Sequence, residues 1–341
     1  MRWLDDQLAI VSAADDGYVM PLAVTIRSAA ACLSPAVKLN WFILDGGVSD
    51  ENRERLEQCF EPNRVAIDWV RADREALAGL PVSEHVTLAT YFRILIPRLL
   101  PPWLEKVIYL DSDLVVLQDL NELWREPLGD HWCLAAQDMA APYLDAERVL
   151  ANFHQCARYL ASPRPLPNYQ ELALDGRAKY FNAGVLVIDL ARWRSAVMTG
   201  RLLGCLRKHS RHVLWWDQYA LNVVLAGRWG ELDPRWNQIP HIHAYPSWRE
   251  SPFDEETFRR IVGDPFIVHY ASAEKPWHYD NAHPRRDLFY HYLDQTPWAG
   301  WRPRRPHFLS APWRRKRLDA WNRTYRRGVQ FLKRRILRKS A

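Results

Sequence analysis

The sequence predicts an α/β protein with one mostly parallel sheet flanked by helices. Three observations carry that prediction. Apolar runs of strand length alternate with longer helix-patterned stretches, which is the spacing of strand–helix–strand units. The runs lack polar alternation, as strands covered on both faces do. Finally, 341 residues at 48% hydrophobic composition are enough to bury one large core.

Leu8 to Ala13 reads as the first strand, Ala14 to Tyr18 as a turn, and the stretch through Val24, Ile26 and Ala29 to Cys32 as a helix. A strand, loop and helix in that order suit a nucleotide. Leu39 to Leu44 is the second strand, and Ser49 followed by Asp50 and Glu51 marks a helix start with acids in its first turn. Val65 to Val70 is the third strand. Thr87 to Ile96 reads as a helix carrying Tyr91 and Arg93, with Pro97, Pro101 and Pro102 expected to stop it.

Lys106 to Leu110 follows, an unbroken apolar run that ends in Asp111-Ser112-Asp113. Strand side chains alternate faces, so the two carboxylates are expected to point the same way at the carboxyl end of a buried strand, where open α/β sheets place ligands. Two hard oxygen donors there suit Mg²⁺ or Mn²⁺ and, through it, a phosphorylated substrate. Leu114 to Leu117, Trp132 to Ala136 and Tyr180 to Asp189 are further strands, Leu214 to Leu225 is a helix, and Phe266 to Tyr270 is the last strand. The stretch 139–179, with Pro163, Pro165 and Pro167, has no sheet pattern and is read as an insertion over the site. The domain division is therefore 1–300 for the body and 301–341 for a tail.

Composition excludes several classes. The five cysteines are scattered without a C-x-x-C spacing, which argues against a disulfide framework and against a zinc site, and fits a reducing cytoplasm. Neither an apolar leader nor a spanning run of about 18 apolar residues is present, so the chain is expected to be neither exported by a classical signal nor integral to a membrane. The net charge of +6 divides unevenly: 302–341 holds 15 Lys and Arg against one acid, Asp319, leaving an acidic body. Leu318, Trp321, Tyr325, Val329, Leu332 and Ile336 recur at steps of three and four, so 313–338 is predicted to be a basic amphipathic helix lying on an anionic membrane surface. Nucleic acid is the weaker partner, because no nucleic-acid module is present and the body is acidic.

Three more groups stand beside the aspartate pair. Tyr180-Phe181-Asn182-Ala183-Gly184 places an amide and a small-residue turn at a strand, and Trp216-Asp217-Gln218-Tyr219 opens a helix with an acid and an amide. His269-Tyr270-Ala271-Ser272-Ala273-Glu274-Lys275-Pro276-Trp277 offers a third metal ligand and a cation for a diphosphate. In this order, over roughly residues 8 to 280, the motifs resemble glycosyltransferase family 8, the retaining sugar-nucleotide transferases that include bacterial lipooligosaccharide galactosyltransferases and glycogenin.

The resemblance implies a GT-A fold, a single Rossmann-like domain holding a UDP-hexose with Mn²⁺ or Mg²⁺. It implies that Asp111, Asp113 and His269 bind the metal, that Lys275 and Ser272 lie at the diphosphate, and that Asp15 and Tyr18 meet the uracil and ribose. Arg93 is to reach the diphosphate or the donor sugar, while Asp138, Asn182, Asp217 and Gln218 are to hold the hexose, with Gln218 near its anomeric face. The implied reaction is transfer of galactose or glucose to a saccharide or glycolipid acceptor such as lipopolysaccharide, at the inner face of the cytoplasmic membrane. Because the nearest group to the anomeric carbon is an amide, a front-face route is favoured over a covalent glycosyl-enzyme. Three positions depart from the family's usual pattern: Gly17 where Asn is frequent, Ser272 where Gly is common, and Tyr219 where many members carry a second Asp. The rival from another class is a non-catalytic protein that binds polyanions or membranes through the tail.

Overall fold

The computed structural model describes residues 7–72, 74–80, 88–279 and 281–304. The predicted tail helix over 313–338 lies outside the described residues, as does Thr87, the first residue of the predicted helix that carries Arg93. Among the described residues there are nine strands: β1 Gln7–Ala14, β2 Lys38–Asp45, β3 Val65–Arg71, β4 Lys106–Leu110, β5 Leu114–Val116, β6 Cys133–Gln137, β7 Phe181–Asp189, β8 Trp229–Glu231 and β9 Ile267–His269. Seven form one sheet in the order β3-β2-β1-β4-β7-β6-β8, in which β7 alone runs against its neighbours. The predicted α/β class and mostly parallel sheet therefore stand.

Alternation along the strands builds a core on each face. Ala9 and Val11 of β1 and Val107 and Tyr109 of β4 enter one cluster, while Leu8, Ile10, Ile108 and Leu110 enter the other. This double burial is why the runs carry no polar alternation. Helix Val19–Cys32 covers the second face; its Thr25 hydroxyl donates to the Leu114 carbonyl (2.9 Å), and its Ser28 hydroxyl accepts from the Val116 amide (2.9 Å). Those two hydroxyls fix the chain immediately after the aspartate pair.

Two expectations need adjustment. Pro97 does not stop the helical run: 3₁₀ turns over Leu88–Leu95 pass into an α-helix Ile96–Leu99, and Pro97 sits in its first turn, where no amide donor is missed. The last predicted strand does not join the main sheet. It pairs antiparallel with β5 in a separate two-stranded ribbon, with Leu114 opposite His269. Several elements escaped the sequence reading, among them helices Met198–Lys208, Glu255–Gly263 and Arg286–Leu293 and the three-residue β8.

The insertion 139–179 has its own small core. Met139, Ala146, Cys156 and Leu160 pack against Ile239, Ile242, Tyr245 and Ile261. At its centre the buried Asp145 accepts from the Tyr169 hydroxyl (2.9 Å) and pairs with Arg164 (3.1 Å).

Candidate active site

The site forms where β4 ends and the β5–β9 ribbon begins. Ser112, between the two aspartates, turns away and donates to the Ala13 carbonyl of β1 (2.6 Å), which leaves Asp111 and Asp113 on the other side of the turn. The ribbon brings His269 to them: the Tyr270 amide donates to the Asp113 carbonyl (3.0 Å), and His269 Nε2 lies 3.4 Å from Asp113 Oδ1 and 3.6 Å from Asp111 Oδ2. One ligand atom from each of the three residues lies within 4.8 Å of the others. Ligands about 2.1 Å from a divalent ion lie about 3.0 Å apart on adjacent octahedral positions and about 4.2 Å apart on opposite ones. The two separations from His269 fall between these limits, so one hard cation fits among the three atoms after small shifts.

Each partner of the trio is oriented from behind. Asp111 Oδ1 accepts from the Tyr109 hydroxyl (2.6 Å) and pairs with Arg93 (3.1 Å), which leaves Oδ2 for His269. Asp113 Oδ2 pairs with Lys275, and its Oδ1 faces the imidazole. Burial alone raises the Asp113 carboxyl, but Lys275 and His269 outweigh it and hold the group well below the usual carboxylate range. Gly184 makes room for the imidazole, since a Cβ there would sit 2.2 Å from His269 Cε1 and 2.9 Å from Asp111 Oδ2.

Beside the trio lies a floor of amides and acids. Asp138 Oδ2 accepts from Asn182 Nδ2 and from Gln218 Nε2, both at 3.0 Å, and Gln218 Oε1 accepts the Ala183 amide (3.0 Å). Asp217 opens helix Trp216–Val224 just after a left-handed residue, Trp216 (φ +40°), a costly conformation for a bulky side chain. Its carboxylate pairs with Arg93 Nε (2.7 Å), and burial pushes its pKa up to about 6 despite that cation. The same helix is fastened to β7 by Asn222, which exchanges two hydrogen bonds of 2.9 Å with the Phe181 backbone.

The structure brings Asp111, Asp113, His269, Lys275 and Arg93 together with Asp138, Asn182, Asp217 and Gln218, with some differences of task. Arg93 is buried, and its guanidinium engages Asp111, Asp217 and the Ala183 carbonyl while stacking on Tyr109, so it ties the trio to the floor. Tyr18 sits edge-on to Trp277 at 5.8 Å, closing the first loop against the Lys275 segment. Asp15 is in that loop, which its neighbour Asp16 anchors by accepting from the Ser49 amide and hydroxyl and from Asn52. Ser272 spends its hydroxyl on the Glu274 carbonyl (2.6 Å). Tyr219, at the position of the second Asp, points into the core and donates to Asn168 (2.8 Å), so the helix here is tied to the insertion instead. Sequence reasoning missed Asn237, which accepts from His269 Nδ1 (2.8 Å), and Tyr109, whose i, i+2 spacing to Asp111 was the available signal.

Comparison with known proteins fits this geometry. The family model for glycosyl transferase family 8 matches residues 9–281. General stress protein A of Bacillus subtilis (strain 168) is 29% identical over 297 residues, covering 86% of this chain and 96% of that protein. A lipopolysaccharide 1,2-glucosyltransferase of Escherichia coli (strain K12) is 25% identical, covering 87% of this chain and 80% of the other. The crystal structure of the galactosyltransferase LgtC, in complex with donor and acceptor sugar analogues, superposes with a TM-score of 0.70 at 25% identity, covering 91% of this chain and all of that one. The seven-stranded sheet with its appended ribbon is the GT-A fold of that enzyme. The chain belongs to glycosyl transferase family 8.

Proposed function

We propose that the protein is a retaining hexosyltransferase that moves galactose or glucose from a UDP-sugar to a saccharide acceptor, with Mn²⁺ or Mg²⁺ at Asp111, Asp113 and His269. The observation that carries this reading is the meeting of Asp111 Oδ2, Asp113 Oδ1 and His269 Nε2 beside the Asp138–Asn182–Gln218 floor. A cation held there by Asp111, Asp113 and His269 would supply positive charge at the departing diphosphate. Lys275 leaves Asp113 for the diphosphate and adds a second positive charge at the leaving group. Asp15 and Tyr18 hold the nucleoside, and Ser272 lines the loop over the phosphates.

On the sugar side, Asn182 and Gln218 present amides to the hexose hydroxyls, and Asp138 and Asp217 fix those amides and the Arg93 tie. Both ends of the Gln218 amide are engaged, by Asp138 and by the Ala183 amide. A side chain so held is a contact surface for the anomeric centre and a poor nucleophile, which supports the front-face route to retention. The similarity to a lipopolysaccharide glucosyltransferase supports a lipopolysaccharide-type acceptor. A membrane-lying tail over 313–338 would keep the enzyme at the inner face of the cytoplasmic membrane, where such an acceptor is built. Among the described residues no helix is long and apolar enough to cross a membrane.

The test is release of nucleotide from a panel of UDP-, GDP- and CMP-sugars, with Mn²⁺ or with EDTA, by wild type and Asp113→Ala. Turnover of one UDP-hexose that EDTA and the substitution both abolish is the expected result. Equal turnover in EDTA, or none with any donor in the presence of a glycolipid acceptor extract, overturns the proposal.

A further inference from the structure

The amide orientations in the site are set by an unbroken chain of hydrogen bonds. At one end, Asp138 is buried and accepts four: the Ala140 and Ala141 amides on Oδ1 (2.7 and 3.1 Å), and Asn182 Nδ2 and Gln218 Nε2 on Oδ2 (both 3.0 Å). A carboxylate only accepts, so the nitrogen of Asn182 must face it. Asn182 Oδ1 then points the other way and accepts from the Gly184 amide (3.0 Å) and from Asn237 Nδ2 (2.9 Å). With its nitrogen committed, Asn237 turns Oδ1 to His269 Nδ1 at 2.8 Å. An acceptor at that place requires a proton on Nδ1, and the lone pair of Nε2 is left for the position between Asp111 and Asp113.

Asn237 is 1% exposed and is held by its own backbone neighbourhood. The next residue, Gln238, bridges in parallel to Val268, with the Gln238 amide donating to Ile267 and the His269 amide donating to Gln238 (3.0 and 2.8 Å). The side chain and the imidazole it meets are therefore carried on adjacent, mutually bonded strands of backbone.

We propose that Asn237 is a positioning residue for the cation site: its carboxamide fixes the proton of His269 on Nδ1 and so turns Nε2 into the ligating nitrogen. The inference rests on the proposed cation site at Asp111, Asp113 and His269. It also joins that site to the sugar floor, since the polarity of the whole chain is set at Asp138 and Gly184. Partners behind a metal-binding histidine typically contribute 10–100-fold to metal affinity.

Two variants separate positioning from packing. Asn237→Leu keeps the branched shape and removes the acceptor, whereas Asn237→Asp keeps an acceptor for Nδ1–H while losing the bond to Asn182 and adding a charge. The readouts are Mn²⁺ affinity by electron paramagnetic resonance without any sugar donor, and the His269 tautomer in the metal-free full-length protein from two-bond ¹H–¹⁵N correlations of the imidazole at pH 8.5. The His269 signals are assigned with a His269→Gln variant. In wild type and N237D the proton is expected on Nδ1, with N237D within about tenfold of wild-type affinity; N237L is expected to show mixed tautomers and a 10–100-fold loss. The proposal is overturned if wild-type His269 carries its proton on Nε2, a measurement that needs no variant to fold. It is equally overturned if N237L binds Mn²⁺ within twofold of wild type, or if both variants lose affinity alike. A wild type that binds no Mn²⁺ removes the cation reading itself, and the role of Asn237 at a metal with it.

Discussion

Replacing Gly184 by Ala tests the cation site with the smallest possible change, one methyl group. The added carbon would lie 2.2 Å from His269 Cε1, 2.6 Å from Nδ1 and 2.9 Å from Asp111 Oδ2. Carbon atoms in ordinary contact stand about 3.5–4.0 Å apart, so the ring must retreat by more than about 1 Å. It has little room to do so: the imidazole is 3% exposed, its Nδ1 is bonded to Asn237, and its backbone amide donates to Gln238. Nor can β7 withdraw alone, because the Gly184 carbonyl accepts the Asp111 amide (2.9 Å) and would drag that aspartate with it. Metal–ligand distances tolerate about 0.2 Å, so a 1 Å displacement takes His269 out of the coordination sphere. The expected result is at least about a hundredfold loss of Mn²⁺ affinity, beyond what a lost outer-shell partner costs. Overpacking should also cost about 1–3 kcal/mol of stability. Gly204 supplies the control: it is exposed in helix Met198–Lys208 and a Cβ there meets nothing within 4 Å, so Gly204→Ala should stabilise by up to about 1 kcal/mol and leave metal binding alone. The assay is a Mn²⁺ titration followed by electron paramagnetic resonance, with urea denaturation of the same samples. Wild-type affinity in Gly184→Ala would refute the assignment of His269 as a ligand.

Three further outcomes follow from the same contacts. Arg93→Ala leaves Asp111 and Asp217 without their shared buried cation and should cost about 3–5 kcal/mol in urea denaturation; Arg93→Lys, which keeps the charge but not the fork, should recover only part of it. Burial raises the Asp217 carboxyl from its ordinary 3.8 to about 6, so the folded protein keeps a proton that the unfolded chain releases. The resulting stabilisation, at most about 3 kcal/mol, is complete below about pH 3.8 and is lost as pH rises through about 6. Between pH 4.5 and 7 the stability of wild type should therefore fall relative to Asp217→Asn, and a pH-independent difference between the two would contradict the shift. Full-length protein should float with vesicles containing anionic lipid and be released by salt, whereas a chain ending at residue 301 should not float, while still turning over a soluble acceptor.

Much of the framework was readable from local pattern. The β4 run is apolar on both faces because two cores meet it, and the Asp-x-Asp turn follows directly from its end. Ser49 caps its helix as its neighbours foretold, its hydroxyl accepting from the Asn52 amide. What escaped the sequence were contacts made across long chain separations. Asn237 meets a histidine 32 residues away, and nothing in Pro234-Arg235-Trp236-Asn237 marks one amide as an orienting group. Thr25 sits on the buried face of an apolar helix, where its hydroxyl is accounted for only once Leu114 is seen beside it. Arg93 was legible as a charge among apolar residues, but whether such a charge faces a ligand or two protein carboxylates depends on a turn and a helix that lie 18 and 124 residues further along the chain. The short elements, β8 above all, fall below the length at which periodicity speaks.

The most direct measurement is calorimetric titration of UDP, and then of UDP-galactose and UDP-glucose, into the full-length protein in Mn²⁺ and in EDTA, for wild type and Asp113→Asn. If the aspartates and His269 hold a cation that in turn holds the diphosphate, wild type should bind at least about tenfold more tightly with Mn²⁺, and the substitution should erase that difference. Equal affinity in Mn²⁺ and EDTA, or a metal effect that survives Asp113→Asn, would mean that the diphosphate is held without this site.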